Sequence, residues 1–276
     1  MKVAFLGPEG TFTEEAALAF LKALGKSDEA ELVGYSTVTD AIEATTKGEA
    51  DKAVVPIENS VEGSVNATLD ALAFESDLVI EREMVMPIRH ALIVSPKADL
   101  SKIRAIVSHP QATAQCRRYL AEHFPNVPIE AANSTAEAVA RAAEDPTLAA
   151  VGTKLAAELY GAIFAEVNIE DYQDNKTRFV LLGREPAAPT GKDKTSLVCF
   201  IHKDQPGSLL SILQEFAFRY INLTKIQSRP TKKVLGEYYF FIDLEGHKDD
   251  DNVVAALKCL ACKLRAVRVL GSYPMS

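Results

Sequence analysis

The chain has 276 residues, 25% of them charged, with a formal net charge of −8. That acidic balance excludes a general nucleic-acid binder, which needs a basic face, and no apolar run reaches the roughly 18 residues that a membrane-spanning helix needs. The apolar opening Met1–Leu6 is too short for the core of a signal peptide and reads as a first strand, so a cytoplasmic protein is expected.

Strand-like runs alternate with amphipathic helices as far as residue 183. Strand Val3–Leu6 ends in Gly7-Pro8-Glu9-Gly10-Thr11, ahead of a helix over Thr13–Leu24. Strand Glu31–Tyr35 is followed by helix Val38–Lys47. Strand Lys52–Val55 leads through Glu58-Asn59-Ser60 to a helix expected over Ser64–Phe74. Leu78–Pro87 and His90–Val94 make a long β-rich stretch with no helix in it, which predicts a crossing between two sheets. Strand Ala105–Ser108 ends in Ser108-His109-Pro110, and Pro110 suits the first turn of a helix over Pro110–His123. Strand Ile129–Ala131, helix Thr135–Glu144 with Ser134 as N-cap, strand Ala149–Gly152, helix Lys154–Leu159 and strand Thr177–Gly183 follow. The alternation predicts an α/β domain with largely parallel sheets, folded as two lobes around a cleft.

Three of these strands end in small polar clusters expected to open helices. Such junctions collect unpaired backbone N–H groups and favour anions. The segment Asn175-Lys176-Thr177-Arg178-Phe179 adds a fixed cation. The combination points to a small, multiply charged carboxylate as ligand.

Residues 184–194 carry two prolines and a glycine among charges and read as a linker. Beyond them come strand Thr195–His202, a helix from Leu209 to about Tyr220, and strand Asn222–Ser228. A turn over Thr231–Gly236, strand Glu237–Leu244, helix Asp250–Leu264 and strand Val267–Ser272 complete the unit. The order β-α-β-β-α-β is ferredoxin-like. Cys259 and Cys262 have C-x-x-C spacing but lie in a helical stretch without a second Cys/His pair, so all four cysteines read as free thiols. No dinucleotide fingerprint or metal-ligand cluster appears, and neither cofactor nor metal is expected.

Gly7-Pro8-Glu9-Gly10-Thr11-Phe12, Pro56-Ile57-Glu58-Asn59-Ser60, Ser108-His109-Pro110-Gln111-Ala112, Asn133-Ser134-Thr135-Ala136-Glu137-Ala138 and Asn175-Lys176-Thr177-Arg178-Phe179 resemble, in order, the signatures of the prephenate dehydratase family. Asp204-Gln205-Pro206-Gly207-Ser208-Leu209-Leu210 and Ile221–Pro230 resemble the phenylalanine-sensing segments of an ACT domain. The resemblance implies a two-lobed, type-II periplasmic-binding-protein-like catalytic domain over residues 1–183, the linker at 184–194, and a ferredoxin-like ACT domain over 195–276. It further implies decarboxylating dehydration of prephenate to phenylpyruvate, feedback inhibition by L-phenylalanine, and a homodimer or homotetramer with paired ACT domains. The chain starts directly at the dehydratase strand and so looks monofunctional.

Site roles follow from the same resemblance. Thr177 is expected at the leaving hydroxyl. Arg178 is expected to grip a carboxylate through its guanidinium fork, the alternative being an interlobe salt bridge. Strand alternation would put Thr177 and Phe179 on one face and Arg178 on the other, so a loop or bulge is expected there. Glu58 reads as an acid held protonated or as an anchor for Arg178 and nearby N–H groups. Thr11, Asn59, Ser60, Gln111 and Thr113 are candidate donors to the substrate carboxylates or plain helix caps. Asn175 shares the motif of Thr177, and Phe12 and Phe179 read equally as apolar walls or as ordinary core packing. For the effector, Pro206, Gly207, Ser208, Leu209 and Leu210 would offer N–H groups to a carboxylate. Asn222, Leu223 and Thr224 would face it from a strand edge. Gln227 stands where Glu usually precedes Ser-Arg-Pro, which leaves the effector's affinity and identity open. Two rival readings remain: an arogenate dehydratase, and a sensor without chemistry that would not need Thr177.

Overall fold

A computed structural model describes residues 1–203, 205–231 and 238–276. Asp204 of the expected effector segment, most of the expected turn over 231–236 and the expected strand start at Glu237 lie outside the described residues.

The chain runs β1 (Lys2–Leu6), α1 (Phe12–Ala23), β2 (Glu31–Tyr35), α2 (Val38–Lys47), β3 (Lys52–Asn59), β4 (Gly63–Ser64), α3 (Asn66–Phe74), β5 (Val79–Pro87) and β6 (Ala91–Val94). It continues through β7 (Ala105–Ser108), α4 (Pro110–Gln115), α5 (Arg117–His123), β8 (Ile129–Ala131), α6 (Thr135–Glu144), β9 (Leu148–Gly152), α7 (Lys154–Tyr160), β10 (Ile163–Val167) and β11 (Lys176–Gly183). The remainder is β12 (Asp193–Phe200), α8 (Ser208–Ala217), β13 (Leu223–Pro230), β14 (Tyr238–Glu245), α9 (Asp251–Lys263) and β15 (Ala266–Pro274).

By contacts the molecule has two compact units, each made of separate stretches of chain. The first is Met1–Val65 with Val85–Phe179, and the second is Asn66–Met84 with Val180–Ser276. One sheet has the order β2-β1-β3-β11-β5 with β4 paired to β3, and another has the order β10-β6-β9-β7-β8. Strand β1 pairs parallel with β2 and β3, and β7 pairs parallel with β8 and β9, as strand–helix–strand crossovers require. Strand β6 runs antiparallel to both β9 and β10. The fully buried residues Phe5, Val54 and Ile57 pack the first of these sheets, and Val107, Val139 and Ala150 the second. Gly10 serves a close approach: its φ is +85, and a Cβ there would lie 3.0 Å from the Ala156 Cβ.

In the second unit the expected β-α-β-β-α-β order is present, with antiparallel sheet order β13-β14-β12-β15. Its core is Leu197, Ile212, Phe216, Ile242 and Leu260. Helix α3 belongs to this unit. Its Phe74 ring meets Tyr239 edge-on at 5.2 Å and Phe200 at 5.6 Å. Buried Glu83 on β5 accepts two hydrogen bonds from Lys194 Nζ, at 2.7 and 2.8 Å.

The structure corrects several expectations. The single helix over Pro110–His123 is broken at Cys116, whose φ is −116 and ψ 14. Asp171 holds the break open, because its N–H donates to Gln115 O at 2.6 Å and its carboxylate accepts from Arg118 N at 3.1 Å. Ser64 does not open a helix. It lies in β4 opposite Glu58, and α3 begins at Asn66. The Glu58-Asn59 cluster is therefore a strand end and turn. No loop separates Thr177 from its neighbours, because β11 is continuous from Lys176. The structure adds strand β10, whose residues Ile163, Phe164 and Val167 are exposed and whose sequence carries no polar–apolar alternation.

Candidate active site

A cavity of about 390 Å³ opens within the first unit, beyond the carboxyl ends of β1, β3 and β7. This is where open α/β sheets place ligands. Leu6, Gly7, Thr11 and Phe12 reach it from the β1–α1 turn, Gln111, Ala112 and Gln115 from α4, and Ser134 and Thr135 from the start of α6. Asn59 comes from β3, Ile88 and His90 from the β5–β6 connection, and Thr177 and Phe179 from β11.

Of the expected substrate and catalytic residues, the cavity brings together Thr11, Asn59, Gln111, Thr177 and Phe179. Thr11 is also the N-cap of α1: its hydroxyl accepts from Glu14 N at 3.4 Å and donates to Leu6 O at 3.1 Å. The Glu14 carboxylate accepts from Gly10 N at 2.5 Å, and burial raises its pKa above the ordinary value.

The other expected residues sit around the cavity rather than on it. Ser60 pins its turn to the start of β11, accepting from Lys176 N at 2.9 Å and donating to Asp174 O at 3.2 Å. Thr113 donates to Pro110 O at 3.0 Å inside α4. Arg178 is buried, and its Nε lies 3.4 Å from Glu58 Oε2. Thr177 and Phe179 line the cavity and Arg178 does not, as strand alternation expects. Glu58 therefore stands beside Arg178.

Asn175 is buried and bridges two neighbours. Its Oδ1 accepts from Asn59 Nδ2 at 2.9 Å, and its Nδ2 donates to Gln115 Oε1 at 2.9 Å. The direction of this chain of amides is fixed from its ends, where the partners have only one possible role. Backbone N–H groups of Val61 and Glu62 donate to Asn59 Oδ1, each at 2.9 Å. Asn59 must therefore present its NH₂ group to the interior, where it donates to Thr177 Oγ1 at 2.8 Å. At the other end the Glu62 carboxylate accepts from Gln115 Nε2 at 3.3 Å, which turns Gln115 Oε1 toward Asn175. Thr177 Oγ1 is thus an acceptor from Asn59, and its own proton is left to point elsewhere.

Sequence reasoning missed His90, Gln115 and Glu62. Gln115 lies four residues after Gln111, one helical turn on along the same face, and that spacing could have found it. His90 is a buried polar residue at the mouth of an apolar strand. Its ring packs edge-on against Phe12 at 5.5 Å, and burial lowers its pKa below the ordinary value.

The described effector residues occupy two places in the second unit. Gly207, with φ +88, is the N-cap of α8, where Leu209 and Leu210 are exposed. Asn222 donates to Glu245 Oε1 at 2.9 Å just before the edge strand β13, whose pairing with β14 shifts register between Leu223 and Lys225, around Thr224. Among the described residues no group of three or more His, Cys, Asp or Glu is placed to hold a metal ion, and no helix is long and apolar enough to cross a membrane.

Comparison with known proteins gives two family matches: a model described as prephenate dehydratase over residues 3–187, and one described as ACT domain over residues 195–261. The bifunctional chorismate mutase/prephenate dehydratase of Aquifex aeolicus is 45% identical over 275 residues, covering 99% of this chain and 74% of that protein. A crystal structure of prephenate dehydratase from Arthrobacter aurescens in complex with L-Phe is 43% identical, with a TM-score of 0.91 over 100% of this chain and 90% of that one. A solved structure described as GqqA, a novel type of quorum quenching acylase, is 30% identical, with a TM-score of 0.87 over 100% of this chain and 98% of that one.

Proposed function

This chain belongs to the prephenate dehydratase family, and from that premise we propose that it converts prephenate to phenylpyruvate under feedback control by L-phenylalanine. Fold alone does not choose a reaction; the observation that carries this reading is the Thr177 hydroxyl. It lines the cavity while Asn59 occupies its oxygen as donor. Prephenate must lose hydroxide from its ring and carbon dioxide from the same ring, and aromatisation drives both losses. A hydroxyl whose oxygen already accepts a fixed hydrogen bond offers its proton to the departing oxygen, where charge develops.

The ring carboxylate must not be held too well. Phe12 and Phe179 give the cavity apolar walls, and a dry wall favours loss of that charge as carbon dioxide. The pyruvyl carboxylate is assigned to the starts of α1 and α6, whose N–H groups favour an anion. Gln111 adds a side-chain donor from α4. Arg178 and Glu58 act as a pair that braces β11 against β3, and through it the position of Thr177. No cofactor enters this scheme.

The domain limits that go with this reading are a catalytic domain over 1–183, a linker over 184–194 and a regulatory domain over 195–276. L-phenylalanine would place its carboxylate at the start of α8, near Pro206–Leu210, with Asn222, Leu223 and Thr224 completing its site. The protein is assigned to the cytoplasm, as a homodimer or homotetramer. The test is turnover of prephenate by the purified protein, followed as phenylpyruvate, with and without L-phenylalanine and with arogenate in parallel. Turnover suppressed by phenylalanine is expected. A folded protein inactive on prephenate overturns the reading, and preference for arogenate reassigns the substrate.

A further inference from the structure

We propose that His90 is a positioning residue for Thr177, acting through the side-chain relay Gln115–Asn175–Asn59. The inference rests on the dehydratase reading for its kinetic consequence but not for its geometry. His90 Nε2 lies 3.1 Å from Gln115 Oε1, and the same oxygen accepts from Asn175 Nδ2 at 2.9 Å. Because Glu62 takes the Gln115 NH₂ group, Gln115 Oε1 can only accept. His90 must then carry its proton on Nε2. Its Nδ1 is buried with no hydrogen-bond partner among the described residues, which suits a bare ring nitrogen and not an N–H. The ring is thereby held neutral and in one tautomer.

The relay has a definite task. Two donors on Gln115 Oε1 hold that amide in place. Gln115 in turn orients Asn175, whose Oδ1 orients the Asn59 NH₂ group, which it shares with Thr177 Oγ1. Without the His90 donor, Gln115 keeps its bond to Glu62 but loses one of the two contacts that fix its oxygen. The looseness is passed on to Asn59 and so to the direction of the Thr177 hydroxyl. The charged groups nearest His90 do not replace it. The Glu170 carboxylate accepts from the His90 backbone N–H at 2.9 Å and pairs with Arg89 at 2.7 Å, while Glu62 faces Gln115.

The first test is ¹⁵N NMR of the imidazole rings in the wild-type protein at pH 7, with His90 assigned from the spectrum of His90→Gln. A neutral ring protonated on Nε2 is expected; an Nδ1–H tautomer or an imidazolium overturns the proposal. The second is kinetic. His90→Leu should lower kcat about tenfold with KM changed by less than about threefold, as loss of one oriented hydrogen bond predicts. His90→Gln puts an amide NH₂ near the place of the ring Nε2–H and should recover most of the rate. In a Thr177→Ala background, His90→Leu should lower the residual kcat by less than about twofold, because the group it positions is gone. An equal loss in both backgrounds means a merely structural residue and sinks the idea, as does an unchanged kcat in His90→Leu alone. If His90→Leu fails to fold, the tautomer and the His90→Gln rate decide. If the wild-type protein does not turn over prephenate but His90 shows the Nε2–H tautomer, the relay stands and the dehydratase reading falls.

Discussion

Arg229 of β13 and Asp70 of α3 share a buried bidentate ion pair, Nε to Oδ1 at 2.8 Å and Nη2 to Oδ2 at 2.7 Å. The Tyr239 hydroxyl completes it, donating to Asp70 Oδ1 at 2.7 Å and accepting from Arg229 Nε at 3.1 Å. Burial, and then the hydrogen bond to Asp70, push that phenol well above its ordinary pKa. The guanidinium and the carboxylate satisfy each other where their side chains are only 10% and 11% exposed. Asp70→Ala should therefore destabilise the protein by about 3 kcal/mol, since it leaves a buried charge unpaired. Tyr239→Phe should cost about 1 kcal/mol. Urea midpoints measure both, and an Asp70→Ala midpoint equal to wild type would show that the pair is not buried in solution.

Thr177→Ala should lower kcat by about a hundredfold while KM moves little, since the hydroxyl is needed where charge develops on the departing oxygen. Thr177→Ser keeps the group and should stay within about tenfold of wild type. Asn59→Ala should resemble Thr177→Ala in its kcat-led loss. Steady-state kinetics with prephenate check all three, and a rise in KM without loss of kcat would move Thr177 from chemistry to binding.

Burial lowers the pKa of His90 in the folded state from its ordinary value of 6.5. Below pH 6.5 the unfolded chain then binds a proton that the folded chain refuses. Stability contributed by the neutral ring is present above that pH and is lost as pH falls toward the folded-state value. His90→Gln has no such group. The stability difference between wild type and His90→Gln should change in the variant's favour as pH drops from 7 to 5, read from urea midpoints. A difference that does not vary with pH would show an unburied ring.

The cysteines divide by access. Cys116 and Cys199 are buried, Cys262 is exposed and Cys259 is intermediate, near Arg219 Nη2 at 3.2 Å. Burial pushes the Cys199 thiol up to about 12 and raises Cys116 as well. Because the thiolate is the reactive form, a thiol reagent at pH 8 should label Cys262 first and Cys259 more slowly. Cys116 and Cys199 should react only on unfolding. Mass spectrometry of labelled peptides checks the order; early labelling of Cys199 would contradict the packing of β12.

The order of strands and helices was legible because period and capping agree along most of the chain. Ser134 before Thr135-Ala136-Glu137 predicts a helix start, and the Ser134 hydroxyl does accept from Glu137 N at 3.0 Å. The period of two at Thr177–Phe179 indicates which side chains share a face, and the cavity is lined by Thr177 and Phe179 without Arg178. What could not be read were features set by distant residues. The break at Cys116 depends on Asp171, and the direction of the Asn59 amide depends on Val61, Glu62 and Asn175. His90 gave no local signal, since one histidine before an apolar strand is ordinary core packing until its neighbours in space are known.

Helix α3 lies inside the stretch matched as prephenate dehydratase, yet it packs with the C-terminal sheet through Asp70 and Phe74. The boundary in sequence and the boundary in packing are therefore different lines. A chimera that exchanges residues 195–276 between two relatives would set a foreign sheet under a native helix, so that the two halves of the Arg229–Asp70 pair would come from different proteins. The exchangeable cassette is discontinuous, 66–84 together with 180–276, and a graft that respects it should keep its core intact. Removing the C-terminal sheet outright would do the opposite of isolating a clean catalytic fragment, because it would turn the buried side of α3 into a sticky surface.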